Sequence, residues 1–457
     1  MKEVRELLNS LNEYLKGHQL DGEILYTYEE SNLVRCGRNQ ISLNNQQVRN
    51  NFEISIKKGK REIQGSLADA NHSLDKLKEF IDEMIQKIDY LPETPFLKDY
   101  TPLPKSFKSL DQIDLSKRHI KSEEVVQVLK IIGTFFEGKE VEQSGAISFG
   151  KSGYAIINTE SENAFSWQGE DYNLEIVLQL LNDNNKEIRV ADAGTHFKDV
   201  KIKELVSSLN RDYLIKTSSS RKDLVPKKYD VVFGADAIAE MIAYMAWVGL
   251  KGESYLFESG MFKKSNVSLG DKVFSPLLSI SDAPQLFKRE IGPNGIQRKA
   301  MDFIKNGSLE NFAYSNKATC DRFDVKQNTH FGTSELTMES GVGPNSFGKV
   351  VDESIEETVY ISYLHYMNFT NKNLGEFTGT SRFGTYLLEK GELQGHLHNI
   401  RINDSFLRLF NNIQWISSST KAVNLSNSYG MRSPYIIHCP EYIRILDVPI
   451  TGSSAQT

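Results

Sequence analysis

The spacing of the histidines gives no indication of a helical zinc site. The sequence contains nine histidines, and no two are four residues apart, the separation that places two ligands on one helix face. His396 and His398 lie two residues apart in a predicted strand, so their rings should point the same way and could bind one ion. Such pairs are common on solvated strands that hold no metal. We therefore predict no metal site on this chain.

Other catalytic arrangements are also missing. His438 and Cys439 are adjacent, so on a strand their side chains would face opposite sides. The chain has no Gly-x-Ser-x-Gly nucleophile elbow. Neighbouring carboxylates such as Glu356 and Glu357 diverge and do not form an acid and base pair. Residue types alone therefore predict no catalytic residue.

Composition and charge favour a globular protein of a reducing compartment. The 457 residues include 54 Lys and Arg against 60 Asp and Glu, a formal charge of -6 that gives no general attraction to nucleic acid or anionic membranes. Three cysteines are too few for a disulfide framework. The longest apolar run, 241–250, is too short for the roughly 20 residues that cross a bilayer, and the first 17 residues do not resemble a secretory signal. We expect a cytoplasmic protein without a membrane segment.

Periodicity along the chain predicts an α+β protein of two domains. The first domain, 1–225, should carry helices on an antiparallel sheet, and the second, 226–457, should be β-rich with a few helices. A polar, proline-containing stretch, TSSSRKDLVPKKYD, marks the boundary. The second domain should contain a central helix, 235–248, whose only charges are Asp236 and Glu240. Most of its circumference should therefore be buried.

Apolar stripes at helical spacing predict several further helices. The stripes that include Leu8 and Ile81 have the clearest periodicity. The predicted helices are an opening helix that ends at Gly17, a second from Leu74 to Ile88 and a third that begins after Ser122. Four more are predicted near 172–183, 199–210, 296–306 and 404–411.

Six segments, taken in order, resemble the TldD/PmbA family, whose members are often named as modulators of DNA gyrase. The likeness extends over most of the chain. The segments are LVRCGRNQISLNNQQVRNNFEISIKKGKREIQGSLA, VVFGADAIAEMIAYMAWVGLKGESY, GDKVFSPLLSISDAP, IQRKAMDFIKNGSLENFAYSNKAT, GTSRFGTYLLEKGELQGHLHNIRINDSFLRLFNNI and CPEYIRILDVPITGSS.

The central helix departs from the hydrolytic branch of that family. TldD members carry a His-Glu-x-x-x-His motif there, which with a C-terminal cysteine holds a metal for peptide hydrolysis. Aligned on the Gly-Leu-x-Gly that follows, these positions fall on Ala243, Tyr244 and Val248, which cannot coordinate zinc or activate water in that way. The resemblance therefore places the chain in the PmbA, or TldE-like, branch. The family's cysteine role does not transfer to Cys439, since the histidines are missing.

The resemblance implies a role as one subunit of a metalloprotease. A TldD-type partner would carry zinc, while this chain, without a cofactor of its own, would help to bind unfolded peptide; alone it would form a homodimer. The candidate peptide contacts are Gly379, Ser381, Arg382 and Gly384, because small residues allow close backbone approach and the arginine could receive a carboxylate. An ordinary glycine-containing turn is the alternative interpretation of these four residues.

Two other functions stay open at this point. One is a self-sufficient metallopeptidase that builds its site from His396, His398 and a third ligand. The other is a non-enzymatic modulator of DNA gyrase. Its support is the basic turn Lys57, Lys58, Lys60 and Arg61, although nucleic acid binding is the less favoured interpretation because the turn has no interleaved aromatic residues.

Overall fold

The computed structural model describes residues 1–68, 73–105, 120–181, 186–283, 287–333, 335–425, 432 and 434–454. Within them the protein is a mixture of helices and strands, with one sheet in the N-terminal half and two in the C-terminal half. The α+β fold predicted from the sequence is thereby confirmed. No helix among these residues is long and apolar enough to span a lipid bilayer.

A six-stranded antiparallel sheet organises the N-terminal half. Its strands are β1 (Asp21–Gly37), β2 (Gln40–Lys58), β3 (Arg61–Ala68), β4 (Val141–Asn158), β5 (Phe165–Leu180) and β6 (Glu187–Gly194). Their spatial order is β3-β2-β1-β4-β5-β6. The β2–β3 hairpin turns at Gly59, whose φ of 61° lies in the left-handed region that glycine adopts without strain. This turn was predicted from the sequence.

Four helices cover one face of this sheet. They are α1 (Lys2–Gly17), α2 (Leu74–Ile88), α3 (Ser122–Phe135) and α4 (Ile202–Ser218). Leu8 and Leu11 of α1 pack with Ile81 of α2 over one end of the sheet, and Leu129 and Leu209 belong to a second cluster over the other end. Ile24 and Tyr26 near the beginning of β1, and Val34 and Cys36 near its end, are buried beneath these helices.

Two of the predicted helices are strands. The segment 172–183 was predicted as a helix but belongs largely to β5, where Leu174, Ile176 and Leu178 are fully buried on one face, the period of two expected for a strand. The segment 296–306 was also predicted as a helix but contains a strand that turns at Asn306 and Gly307. An Asn-Gly pair is a strong signal for a tight hairpin, and this signal was overlooked.

Two sheets form the C-terminal half. Their strands are β7 (Arg221–Lys222), β8 (Lys227–Gly234), β9 (Ile280–Asp282), β10 (Met301–Lys305), β11 (Ser308–Leu309), β12 (Leu336–Met338), β13 (Thr358–Asn371), β14 (Glu376–Glu389), β15 (Glu392–Leu397), β16 (Asn399–Ser405), β17 (Ile413–Ile416), β18 (Thr420–Asn424), β19 (Ile436–Pro440) and β20 (Tyr442–Ser454). The first sheet is mixed and has the order β13-β8-β20-β16-β14-β15-β7, with β17 also paired to β20. The second sheet has the order β11-β10-β9-β12-β19-β18.

The helices of this half are mostly short. They are α5 (Ala235–Gly249), α6 (Gly252–Leu256), α7 (Lys317–Phe323), α8 (Phe347–Asp352) and α9 (Phe406–Asn411). The central helix α5 contacts strands of both sheets, β8 and β13 on one side and β18 and β19 on the other. Most of its apolar residues, such as Ile238 and Met245, are buried, as the lack of charge predicted, whereas Trp247 is exposed.

The two halves meet on the sheet face that the four helices leave uncovered. Trp167 of β5 donates a hydrogen bond from Nε1 to the carbonyl of Phe287 at 2.9 Å, and its ring contacts the Phe287 ring. Tyr154 of β4 donates to the carbonyl of Ile291. This contact brings β6 close to the start of α5. The division of the chain into domains at 225 stays a prediction.

Candidate functional site

A polar cleft lies where β6 approaches the first turn of α5. Asp236 of α5 is bridged by two cations, with Arg189 Nη1 at 3.5 Å and Lys421 Nζ at 3.4 Å from its carboxylate oxygens. Burial opposes ionisation of Asp236, but Lys421 and Arg189 outweigh it and hold the pKa of the carboxyl below its usual value. Asp236 is therefore a fixed negative charge that joins β6, α5 and β18.

Two neighbouring cavities make up this cleft, with volumes of about 500 and 140 Å³. They share a wall that includes Arg189, Asp192, Asp236 and Lys421. Because charged and hydroxyl groups converge on this space from both halves of the chain, the cleft is suited to a polar ligand, such as the main chain of a peptide.

Glu240 lies one helical turn beyond Asp236 and lines the smaller cavity. Burial raises the pKa of its carboxyl to about 7, an effect that Arg189 reduces and Asp236 increases. The Arg189 guanidinium stacks 4.5 Å from the centre of the Tyr363 ring and donates from Nη2 to Glu175 at 3.1 Å. Asp236 and Glu240 therefore have pKa values shifted in opposite directions, although they lie one turn apart on the same helix.

The second half of α5 carries the three positions that the resemblance assigns to a metal motif. Ala243 is a partly buried methyl group, and Val248 is buried in the core. The Tyr244 hydroxyl donates a hydrogen bond to the carbonyl of Met367 at 2.7 Å. None of the three side chains offers an imidazole or carboxylate, so this face of the helix does not fit a zinc ion.

A cluster of aromatic rings and lysines, which we name the Trp247 patch, follows on the same helix. It consists of Tyr244, Trp247, Lys251, Phe369 and Lys372. The Trp247 ring centre lies 6.4 Å from that of Tyr244 and 5.7 Å from that of Phe369. Trp247 is 49% exposed, which is unusual for the largest apolar side chain. This surface is the clearest exposed aromatic feature near α5.

The four predicted peptide contacts lie together on β14. Ser381 is fully buried, and its hydroxyl oxygen accepts hydrogen bonds from the amide of Ile400 and the hydroxyl of Thr385, both at 2.9 Å. A Cβ atom added to Gly384 would lie 2.8 Å from Ser362 Oγ, so that hydroxyl would have to move. One added to Gly379 would lie 3.2 Å from Met367 Cγ, a contact that a small movement of the methionine side chain would relieve.

Arg382 is the partly exposed member of that group. Its guanidinium makes two hydrogen bonds with Glu187 of β6, from Nε at 2.9 Å and from Nη2 at 3.2 Å. The carboxylate-binding geometry that the sequence suggested is thus present, with a carboxylate of the chain itself as the acceptor. Contact of these residues with a substrate stays a prediction.

His396 and His398 border a small pocket at the end of β15. His396 is buried, with Nδ1 3.1 Å from the hydroxyl of Ser219, whereas His398 Nε2 is 3.9 Å from Asp223. In the part of the chain that the structure describes, no three His, Cys, Asp or Glu side chains are grouped so as to hold a metal ion. The two rings thus have different partners, Ser219 for His396 and Asp223 for His398.

Cys439 is buried at the beginning of α5. Its thiol donates to the carbonyl of Ala235 at 3.4 Å, and burial raises the pKa of the thiol far above its usual value. Ala235 is eight residues before Ala243, which is roughly 12 Å along a helix axis. Cys439 is therefore an inert core residue, separate from the positions of the metal motif.

The basic turn between β2 and β3 is largely neutralised by its neighbours. Lys57 is only 4% exposed, and its ammonium group donates to the carbonyl of Lys98 at 2.5 Å. Lys58 pairs with Asp89 at 2.7 Å and Arg61 with Glu93 at 3.2 Å. Three of the four cations of the turn therefore already have partners within the chain, whereas Lys60 is exposed.

Comparison with known proteins agrees with this architecture. Residues 226–452 match the family model described as the PmbA/TldA metallopeptidase C-terminal domain. The chain belongs to the TldD/PmbA family. This family is metallopeptidase-like, and some of its members are named as modulators of DNA gyrase. A search of curated proteins finds no match to this sequence.

Three solved structures share the fold of this TldD/PmbA family member over nearly its whole length. TldE from Thermococcus kodakarensis superposes with a TM-score of 0.80 at 16% identity, covering 98% of this chain and 100% of that one. A protein named as a modulator of DNA gyrase from Bacteroides thetaiotaomicron gives 0.79 at 16% identity, with 99% of each chain covered. A protein from Thermotoga maritima, also named as a modulator of DNA gyrase, gives a TM-score of 0.75 at 17% identity, covering 97% of this chain and 99% of that one. At these identities the likeness establishes the fold alone.

The polar cleft was missed in the sequence because its residues come from distant segments. Arg189, Asp236 and Lys421 are brought together only when β6, α5 and β18 assemble. One signal was available: Asp236 and Glu240 are the only charges on an otherwise apolar helix. Charges kept on a buried helix indicate a specific partner or a polar cavity.

Proposed function

We propose that this chain is the metal-free, TldE-like subunit of a TldD/TldE-type metalloprotease. In this proposal a TldD-type partner holds zinc and performs hydrolysis, and the present chain helps to bind unfolded peptide. The expected compartment is the cytoplasm. When the partner is missing, the chain would pair with a second copy of itself.

The observation that carries the proposal is the chemistry of the three α5 positions. Ala243 offers only a methyl group and Val248 only a buried isopropyl group. The phenol of Tyr244 already donates a hydrogen bond to the carbonyl of Met367. No hydrolytic step can be assigned to them. Family membership together with an unsuitable donor set supports a binding role in place of a catalytic one.

The polar cleft and the Trp247 patch support peptide as the ligand. Both lie along the partly exposed side of α5, so they form one continuous surface that includes Asp236, Glu240 and Tyr244. Acidic, aromatic and basic groups follow one another there, and they can contact successive side chains of an extended peptide. The β14 residues Gly379, Ser381, Arg382 and Gly384 are proposed to border the same surface.

The test is a reconstitution with the native partner. The tagged chain is purified from its host, and any protein that co-purifies at one to one is identified and expressed. We expect the partner to carry a His-Glu-x-x-x-His motif and zinc, and only the pair to cleave a reductively methylated, unfolded protein. Cleavage by this chain alone, with stoichiometric zinc that is lost on His396→Ala and His398→Ala substitution, would instead establish the self-sufficient metallopeptidase.

A further inference from the structure

The Trp247 patch presents three rings whose positions are fixed by the fold. The Tyr244 ring is held by its hydrogen bond to Met367, and it lies 5.2 Å from the Phe369 ring. Trp247 stands beside both rings with half of its surface exposed. Rigid aromatic side chains bind a partner ring at little cost in conformational entropy, and they commonly dominate peptide interfaces.

Two ammonium groups flank the exposed tryptophan. Lys251 Nζ lies 5.6 Å from the centre of the Trp247 ring, and Lys372 Nζ lies 5.2 Å from it. Within the described ranges of the chain, neither ammonium forms an ion pair with a carboxylate. Both ammonium groups lie against aromatic rings and are available to pair with an anion.

The carboxylate nearest to Lys251 in sequence is already engaged. Glu253 Oε1 accepts hydrogen bonds from the amides of Ser315 and Asn316, at 3.4 and 2.8 Å. Burial lowers the pKa of Lys251, and the charge of Glu253 only partly offsets that effect. A partly desolvated ammonium without a paired anion is unfavourable, and an arriving carboxylate would relieve it.

We propose that the Trp247 patch binds an extended peptide segment in which an aromatic side chain is followed by Asp or Glu. The aromatic ring packs on Trp247, and the acidic side chain lies between Lys251 and Lys372. This inference deepens the proposed function and rests on it, since it names the class of peptide that the chain selects.

The charges along α5 favour peptide over single-stranded nucleic acid, which also stacks on aromatic rings between cations. Glu240 lies one turn from Tyr244 on the same helix face, and Asp236 one turn further. Asp236 is paired with Arg189 and Lys421, so repulsion of a phosphate backbone that continued along the surface would come from ionised Glu240. A peptide with an acidic residue at the two lysines and a neutral or basic residue near Glu240 meets no such repulsion. Because the surface is positive at the lysines and negative at Glu240, it also selects the direction in which the peptide binds.

The experiment compares three peptides that are acetylated and amidated, so that no terminal charge contributes. They contain Phe-Asp-Asp, Phe-Asn-Asn or Phe-Lys-Lys in an otherwise identical Gly-Ser sequence. Binding to the full chain is followed by tryptophan fluorescence and by calorimetry. We expect the Asp peptide to bind about tenfold more tightly than the Asn peptide, as for partly desolvated charge pairs, and the preference to weaken with salt.

Variants of the chain assign the preference to the patch. Lys251→Gln together with Lys372→Gln should remove the tenfold difference between the Asp and Asn peptides, whereas Lys76→Gln with Lys130→Gln, at exposed sites on α2 and α3, should retain it. Trp247→Phe should abolish the fluorescence change. Circular dichroism and urea unfolding check that each variant folds.

Several outcomes would overturn the inference. Equal affinity for the Asp and Asn peptides, with both bound, would refute the acidic preference and leave the proposed function intact. Binding of none of the peptides, nor of a reductively methylated unfolded protein, would count against both. Tighter binding of oligo(dT) than of the Asp peptide would favour nucleic acid. If a peptide that ends in Phe with a free carboxylate bound more tightly than the Asp peptide, the two lysines would instead recognise the C-terminal carboxylate of a peptide.

Discussion

Arg432 and Asp171 form a buried, bidentate ion pair between the two halves of the chain. Nε lies 2.7 Å from one carboxylate oxygen and Nη2 lies 2.8 Å from the other, and the two side chains are 5% and 4% exposed. The same guanidinium donates to the hydroxyl of Ser148 on β4. Arg432 therefore joins the C-terminal half to the face of the N-terminal sheet that the four helices leave uncovered.

Substitution of Arg432 should destabilise the whole chain. Arg432→Met leaves the Asp171 carboxylate buried without its cation, a change that typically costs about 3–5 kcal/mol. Urea unfolding measures the loss. Lys105→Met is the matched control, because Lys105 and Glu162 form an exposed pair whose side chains are 81% and 73% exposed, and such pairs contribute less than about 1 kcal/mol. Equal effects of the two substitutions would contradict the structural role of Arg432.

Glu240 should make stability fall as the pH rises. Its pKa of about 7 in the folded chain exceeds the usual value of 4.5, so the protonated form is favoured by folding. The resulting stabilisation is complete below pH 4.5 and is lost as the pH rises through 7. Glu240→Gln removes this pH dependence. We expect the unfolding free energy of the variant, relative to that of the wild type, to increase by up to about 3 kcal/mol between pH 4.5 and pH 8.

Comparison of the wild type with Glu240→Gln separates the titration of Glu240 from that of other groups. Glu23 also has a pKa raised by burial to about 7, so the wild-type curve alone cannot assign the effect. The difference in unfolding free energy between the wild type and Glu240→Gln cancels the contribution of Glu23. A difference that is constant from pH 4.5 to pH 8 would show that Glu240 titrates normally in the fold.

Substitution of Arg382 and of its partner Glu187 can distinguish a peptide contact of Arg382 from a purely structural role. Their paired hydrogen bonds join β14 to β6, so Arg382→Gln and Glu187→Gln should each lower the unfolding free energy by roughly 1–3 kcal/mol. Peptide affinity should fall only in Arg382→Gln, because Glu187→Gln leaves the guanidinium available. Unchanged affinity in both variants would show that the prediction of peptide binding by Arg382 is wrong.

Elements with strong local periodicity could be predicted from the sequence. The stripes of α1 and α2 and the apolar circumference of α5 gave correct helices, since each pattern is set by a single element and its burial. The helix predicted over 172–183 is wrong because the leucine pattern there is ambiguous. Leu174, Leu178 and Leu181 have the spacing of a helix face, and part of the same pattern also fits a strand. Only pairing with β4 and β6 decides between the two.

The candidate site was less accessible to sequence reasoning than the fold. Ala243, Tyr244 and Val248 were located by resemblance, and the structure places them on α5 as expected. The bridge from Arg189 to Asp236 joins residues 47 positions apart, and the contact of Tyr244 with Phe369 joins residues separated by 125 positions. Such pairs follow from the packing of sheets, which local periodicity does not encode.

The Tyr244 hydroxyl should contribute measurably to stability and to the shape of the Trp247 patch. Tyr244→Phe keeps the ring but removes the donor to the Met367 carbonyl, and loss of such a hydrogen bond costs about 0.5–1.5 kcal/mol. Tyr366→Phe, at a ring 83% exposed, is the control and should change stability by less than about 0.5 kcal/mol. Urea unfolding measures both variants, with peptide affinity as a second readout. Because the hydroxyl fixes the ring against β13, Tyr244→Phe should also weaken peptide binding; an unchanged unfolding midpoint and affinity would show that packing alone positions this ring.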